Sequence, residues 1–182
     1  MSRSGYGEYD PQDTYDVLAQ GRWVAMLRSA LRGKRGRKFL TDLRDALDAL
    51  PVKRLIHSEL VTADGNVCAI GSVGVRRGVD MSPLLRPADC DPDEWAENWE
   101  CEANERAEAL GSMFDIAPCL AQEVMYQNDE ASYHNETPEQ RWIRVRKWVA
   151  KKLGEEWVPP GSAAWAQSQE RGSEGKSESP GA

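Results

Sequence analysis

Apolar residues recur with a helical period in two neighbouring stretches near the start of the chain. The first covers about residues 21–32 and the second covers residues 39–50, and Gly33 and Gly36 lie between them. Spacings of three and four residues place such side chains on one face of an α-helix. The pattern therefore predicts a basic helical hairpin over residues 21–50, with a glycine turn between its two helices.

A pattern typical of strands follows over residues 55–70. Two β-capable runs, at 55–61 and 67–70, flank the dipeptide Asp64-Gly65. Asp-Gly between such runs favours a hairpin turn because glycine adopts a positive φ without strain. The first run is also compatible with a continued helix. We predict a short β-hairpin that packs against the helices, since two strands alone are only marginally stable.

Helix-start and periodic patterns indicate three more helices in the second half of the chain. An aspartate followed by a proline begins a predicted acidic helix over residues 91–110. Apolar spacing predicts another helix over 118–127. A threonine followed three residues later by a glutamine forms a capping-box pattern before a basic helix over 138–153, and Gly154 follows as a C-terminal glycine.

These elements predict one mainly α-helical domain over residues 21–157 with a single short β-hairpin. The polar, turn-rich residues 1–20 are interpreted as a flexible arm. Residues 158–182 are rich in Ser, Gly and Glu, which indicates a disordered tail because such a composition buries little apolar surface. No apolar run approaches the length of a membrane span, and the first residues lack a secretory signal pattern, so we expect a cytoplasmic protein.

The overall charge is acidic, but it is sorted along the chain. The sequence has 30 acidic and 23 basic residues, for a net charge of −7. Generic coating of DNA requires an excess of cations, so this balance argues against it. Within the helical hairpin, however, cations cluster around the glycine turn. The candidate anion-binding or nucleic-acid-binding residues there are Arg32, Lys34, Arg35, Arg37 and Lys38, preceded by Arg28. The alternative is a solvated connection whose cations balance nearby aspartates.

The predicted helix at 138–153 carries a second group of cations. Its candidate nucleic-acid-binding residues are Arg144, Lys147 and Lys151. A basic amphipathic helix is compatible with contact to nucleic acid, to an acidic protein or to a membrane surface. It is equally compatible with a packed C-terminal helix whose cations stabilise the helix dipole and face water.

The predicted acidic helix at 91–110 combines many carboxylates with two tryptophans. It could imitate a phosphate backbone or dock a basic protein, with the tryptophans as anchors. Alternatively, it neutralises the basic segments of the same molecule. The candidate partner-binding residues are Asp93, Glu94, Trp95, Glu97, Trp99 and Glu100.

A nucleophile set is conceivable around Cys68. Cysteine catalysis needs a thiolate, a histidine base and an orienting Asn or Asp, and His57, Asn128, Asp129 and His134 supply these residue types. Nothing in the spacing requires them to meet, and cysteine is also a common apolar core residue. Asn128-Asp129 is equally typical of a structural turn. The cysteines and histidines show no metal-ligand spacing, so we predict no metal, no cofactor and no catalytic residue.

Several motifs in shared order resemble a family of small, functionally uncharacterised proteins from bacteriophages, prophages and actinobacteria. They run from about residue 21 to 153 and comprise the glycine-containing basic turn at 32–36, Val67-Cys68-Ala69-Ile70-Gly71, Asn128-Asp129 and Thr137-Pro138-Glu139-Gln140-Arg141-Trp142. The resemblance implies a small, often phage-encoded cytoplasmic protein and supplies no reaction. The acidic segment and the tail depart from the family pattern.

Three functions follow as hypotheses. The first is a non-enzymatic phage-type accessory protein that binds a host protein, for example a component of defence or transcription. The second is a nucleic-acid-binding protein that uses the turn at 28–38 and the helix at 141–152. The third is a small enzyme centred on Cys68. The sequence gives no indication of the oligomeric state.

Overall fold

The computed structural model describes residues 14–85, 91, 103–129, 136–159 and 161–162. Within these residues the chain is mainly α-helical, as predicted, and it contains a short 3-10 turn at Ser82–Leu84. The described ranges contain six α-helices, α1 (Thr14–Arg32), α2 (Lys34–Ala49), α3 (Ala69–Arg77), α4 (Ala103–Phe114), α5 (Pro118–Asp129) and α6 (Pro138–Leu153). None of the helices in the described ranges is both long and apolar enough to cross a bilayer.

The predicted helical hairpin is present as α1 and α2, with one difference at each helix start. α1 begins at Thr14, inside the stretch interpreted as a flexible arm. α2 begins directly after Gly33 and incorporates Gly36, which the sequence had suggested as a second interruption. The apolar stripe of α2 is buried as expected, from Phe39 to Leu47. Residues 1–13 lie outside the described residues.

The predicted β-hairpin is wrong. The chain does reverse at Asp64-Gly65, where Gly65 has a φ of 78°, but only one isolated antiparallel bridge forms, between Val61 and Val67. The reason is that the second run does not continue as a strand. Residues 69 and 70 begin α3, and the Cys68 side chain caps that helix by accepting a hydrogen bond from the Gly71 amide (3.3 Å).

Two helices, α2 and α5, hold the others together. α2 packs against α1, α3 and α6, whereas α5 packs against α1, α3, α4 and α6. Apolar side chains from all six helices meet in one continuous core. The Trp142 side chain of α6 is fully buried there, and its indole N–H donates to the Leu47 carbonyl of α2 (3.0 Å). Burial of a large aromatic side chain makes α6 an integral part of the core rather than a peripheral helix.

The bounds of α6 agree with the prediction. Thr137 and Gln140 form a complete capping box, and Gly154 ends the helix in the left-handed conformation with a φ of 76°. The chain then folds back, so that Glu155 pairs with Arg44 of α2 and the Trp157 ring lies 6.4 Å from that of Trp142. Of the tail predicted for residues 158–182, the structure describes only residues 158, 159, 161 and 162.

The acidic helix predicted for 91–110 is described only in part. α4 covers Ala103–Phe114, and its Glu105 and Glu108 side chains are exposed. Asp91 is exposed, while residues 92–102 lie outside the described residues. The helix predicted for 118–127 corresponds to α5.

The close approach of α1 to α2 depends on Gly36. A Cβ atom at this position would lie 2.0 Å from the Ala30 carbonyl oxygen of α1, and the backbone cannot yield as a flexible side chain would. We therefore expect Gly36→Ala to lower the free energy of unfolding by about 1–3 kcal/mol, the usual cost of overpacking. Urea denaturation followed by circular dichroism would measure it.

A matched control lies in α1. Gly21 is also helical, and a Cβ there would meet nothing within 4 Å. Gly21→Ala should therefore raise the free energy of unfolding by up to about 1 kcal/mol, because alanine favours the helix more than glycine does. Equal effects of the two substitutions would show that the α1–α2 contact is not as close as described.

Candidate functional site

The junction between α1 and α2 presents an uncapped helix start at the surface. Gly33 has an extended backbone (φ −63°, ψ 152°) that separates the helices. Its amide donates to the Ser29 carbonyl and its carbonyl accepts from the Arg37 amide, both at 2.9 Å. No side chain in the described residues caps the N-terminus of α2, and its first turn contains no acidic residue. The free amides and the helix dipole therefore add positive potential to this end.

Two adjoining depressions lie beside this junction. A groove of about 480 Å³ runs between α1, the first turn of α2 and the first turn of α5. A more open depression lies along α1 and shares Ser29 and Gly33 with it. Met26 lines the groove, and 58% of its surface is exposed. The other lining residues of the groove are Ser29, Ala30, Gly33, Lys34, Arg35, Gly36, Ala117 and Cys119.

Two of the predicted anion-binding residues of this turn are exposed and form no polar contact with the described residues. Arg32 and Lys34, like the neighbouring Arg28, have no hydrogen bond or ion pair to any part of the chain that the structure describes. Arg35 pairs with Asp115 at 2.9 Å, yet both side chains are about three-quarters exposed (74% and 75%). Arg28, Arg32, Lys34 and Arg35 are called the basic junction below.

The other two predicted cations of the turn contact other groups of the chain. Arg37 donates to the Lys152 and Leu153 carbonyls at the end of α6 (3.0 and 3.1 Å). Lys38 pairs with Asp42 one turn later at 2.9 Å. Arg37 therefore satisfies carbonyl groups that a helix C-terminus leaves without partners, and it fastens the start of α2 to the end of α6.

The cations of α6 divide in the same way. Arg144 forms a bidentate ion pair with Glu136 (2.8 and 2.7 Å) and donates to the Gln127 and Asn128 carbonyls at the end of α5. Its neighbour Arg146 pairs with Asp48 of α2. Lys147 and Lys151 are exposed and make no hydrogen bond or ion pair within the described ranges. Much of the positive charge of this helix is thus used inside the molecule.

Comparisons with protein-family models, curated proteins and solved structures found no match. The roles of these side chains are therefore inferred from their own contacts, burial and charge.

Some of the residues considered for cysteine chemistry lie close together, but their hydrogen bonds connect segments of the fold. Asn128, at the end of α5, accepts a hydrogen bond from the Ala69 amide (3.0 Å) and donates to the Ile56 carbonyl (2.8 Å). Asp129 accepts from the Ser58 amide (3.2 Å). Asn128 is buried, so these bonds join the start of α3, the end of α5 and the segment before the turn. His57 is exposed, with its Nδ1 near the Ser58 hydroxyl, and His134 lies outside the described residues.

The Cys68 thiol is a poor nucleophile in this setting. Burial raises its pKa from 9.0 to about 12, and the hydrogen bond from the Gly71 amide only partly opposes this shift. A cysteine nucleophile reacts as the thiolate, and this thiol remains protonated at neutral pH. The contacts of Cys68 thus favour a helix-capping role.

The raised pKa has a consequence for stability at high pH. The unfolded chain would release the Cys68 proton near pH 9, whereas the folded chain retains it up to about pH 12. The unfolded state therefore binds fewer protons in this window, and stability should fall as pH rises through it. Cys68→Ser, which retains a capping oxygen, should remove this part of the pH dependence. Urea denaturation of both proteins from pH 8 to pH 11 would measure the difference, and parallel curves would contradict the burial of the Cys68 thiol in the folded state.

The predicted partner-binding residues lie outside the described residues. They are Asp93, Glu94, Trp95, Glu97, Trp99 and Glu100. Conversely, the groove is not predictable from the sequence. Met26 appeared as part of the apolar stripe of α1, and only the tertiary contact with α5 brings Ala117 and Cys119 to the same place.

Proposed function

We propose that this protein is a non-enzymatic accessory protein that binds an acidic surface of another protein through the basic junction. The observation that carries the proposal is the group of exposed, uncommitted cations Arg28, Arg32 and Lys34 beside the exposed Met26. Arginine and methionine are both enriched in protein interfaces, and complementary charge accelerates association with an oppositely charged partner. The contacts of Cys68 and Asn128 within the fold favour binding over cysteine catalysis.

The biological setting of the proposal comes from the resemblance to phage and actinobacterial proteins. On that basis the partner is a host protein in the bacterial cytoplasm, for example a component of defence or transcription. An actinobacterial lysate is therefore the first source in which to seek it.

Charge reversal at the junction tests the proposal. The full-length protein, immobilised, would capture proteins from an actinobacterial lysate at low and moderate salt, with quantification by mass spectrometry. The double variant Arg32→Glu with Lys34→Glu should lose at least nine-tenths of a specifically captured protein, because two attractions become repulsions. The matched control is Lys147→Glu with Lys151→Glu, which makes the same charge change on the exposed side of α6 and should retain capture.

Two results would contradict the proposal. One is equal capture by both double variants, since binding would then not depend on the basic junction. The other is loss of all capture after nuclease treatment of the lysate, since nucleic acid would then be the binding partner.

Nucleic-acid binding remains a second candidate, favoured by one contact. Arg37 joins the start of α2 to the end of α6, so parts of the two predicted basic segments adjoin each other. Against this, Arg144 is paired with Glu136 within the fold, and the net charge is −7. This candidate requires a steep fall in affinity with salt concentration for duplex DNA or single-stranded RNA, because phosphate contacts release counterions.

A further inference from the structure

The lining of the groove differs in character from the basic junction at its rim. The space is lined by small side chains, namely Ala30 of α1, Ala117 just before α5 and Cys119 of α5, and by Gly36 of α2, which has none. The unbranched side chain of Met26 borders this space and adapts readily to different shapes. Water that contacts such a surface is released when an apolar side chain covers it, so the groove favours an apolar occupant.

The rim of the same groove favours negative charge. Lys34 and Arg35 line it, and Arg28 and Arg32 line the adjoining depression. The ion pair of Arg35 with Asp115 is exposed to solvent and contributes little to stability, so an incoming carboxylate can replace it at low cost. The uncapped start of α2 adds to the attraction for carboxylates.

We infer that the groove receives an acidic protein segment carrying one apolar side chain of the size of leucine, with that side chain against Met26 and its carboxylates on Arg32 and Lys34. The inference rests on the proposed function and adds the chemistry of the partner's contact segment. A protein segment fits both properties of the site, whereas a nucleic-acid backbone would use the cations and leave the apolar lining uncovered.

Two labelled peptides and two variants test this inference with the full-length chain. One peptide places a single leucine among aspartates and glutamates, and the other replaces the leucine by serine. Fluorescence anisotropy should show about tenfold tighter binding of the leucine peptide, as expected for burial of part of one apolar side chain. Ser29→Trp should fill the groove and abolish this preference without changing any charge, because Ser29 is exposed and lines the groove.

Charge variants and a surface control separate the possible outcomes. Arg32→Glu with Lys34→Glu should weaken binding of both peptides at least tenfold. Val75→Trp places the same aromatic ring on an exposed position of α3 outside the groove lining and should retain the leucine preference.

Each remaining outcome is decisive. Weakening by charge reversal without any leucine preference would overturn the groove inference and leave the proposed function standing. Peptide binding that charge reversal does not change would overturn both. Failure of both peptides to bind at millimolar concentration, or equal competition by duplex DNA and the leucine peptide, would also overturn the groove inference.

Discussion

Trp142→Ala should lower the free energy of unfolding by about 3–5 kcal/mol, the range for deletion of a large buried aromatic side chain. The Trp142 ring is fully buried and lies close to α2 and to the returning C-terminal segment. The substitution also removes the hydrogen bond from the indole N–H to the Leu47 carbonyl. Domains of this size are stable by about 5–15 kcal/mol. The variant should therefore retain little stability margin at 25 °C. Urea denaturation monitored by circular dichroism would measure the loss.

Trp148 provides the matched control for this prediction. It is on the same helix and only half-buried, and the ammonium group of Lys152 lies 5.8 Å from the centroid of its ring. Trp148→Ala should therefore cost clearly less than Trp142→Ala. If the two tryptophans contributed equally, the central position of Trp142 in the core would be wrong.

Asn128→Ala should lower the free energy of unfolding by about 2–4 kcal/mol, since it leaves a buried amide and a partly buried carbonyl without their partners. These are the Ala69 amide and the Ile56 carbonyl, both of which are far from Asn128 in sequence. Asn128→Asp should not restore stability. It retains the acceptor but loses the donor, and it buries a charge next to Asp129. Urea denaturation at neutral pH would compare the three proteins.

An exposed asparagine serves as the reference for Asn128. Asn104 of α4 lies at the surface and accepts a hydrogen bond from Gln122. Asn104→Ala should change stability by no more than about 0.5 kcal/mol, as is usual for surface substitutions. If Asn128→Ala lowered the free energy of unfolding by as little as Asn104→Ala, the hydrogen bonds of Asn128 would not stabilise the fold.

The helices were predictable where several local signals agreed. For α6 the capping box, the apolar spacing and the terminal glycine all pointed to the same bounds, and the structure has them. For α2 the apolar stripe was sufficient to identify the buried face. The hairpin failed because a short apolar run at 67–70 is compatible with either strand or helix, and a cysteine is not among the residues usually preferred at a helix N-cap.

The candidate site was predictable only in its chemistry. The cluster of cations around Gly33 was visible in the sequence, and the exposed positions of Arg32 and Lys34 are consistent with an interaction surface. Which cations are used internally was not visible. The acceptors of Arg37 and Arg144 are mainly backbone carbonyls of other helices, and a carbonyl group leaves no signature in the sequence. The groove likewise depends on packing between distant elements.

Two arginines that donate to the C-terminal carbonyls of other helices affect the local unfolding of those helix ends. Arg37 holds the last carbonyls of α6, and Arg144 holds those of α5. Helix ends normally fray independently, because their last carbonyl groups depend on water. Here fraying of either end would also break a contact to another helix, so amides in these last turns should exchange more slowly than those at helix ends without such contacts.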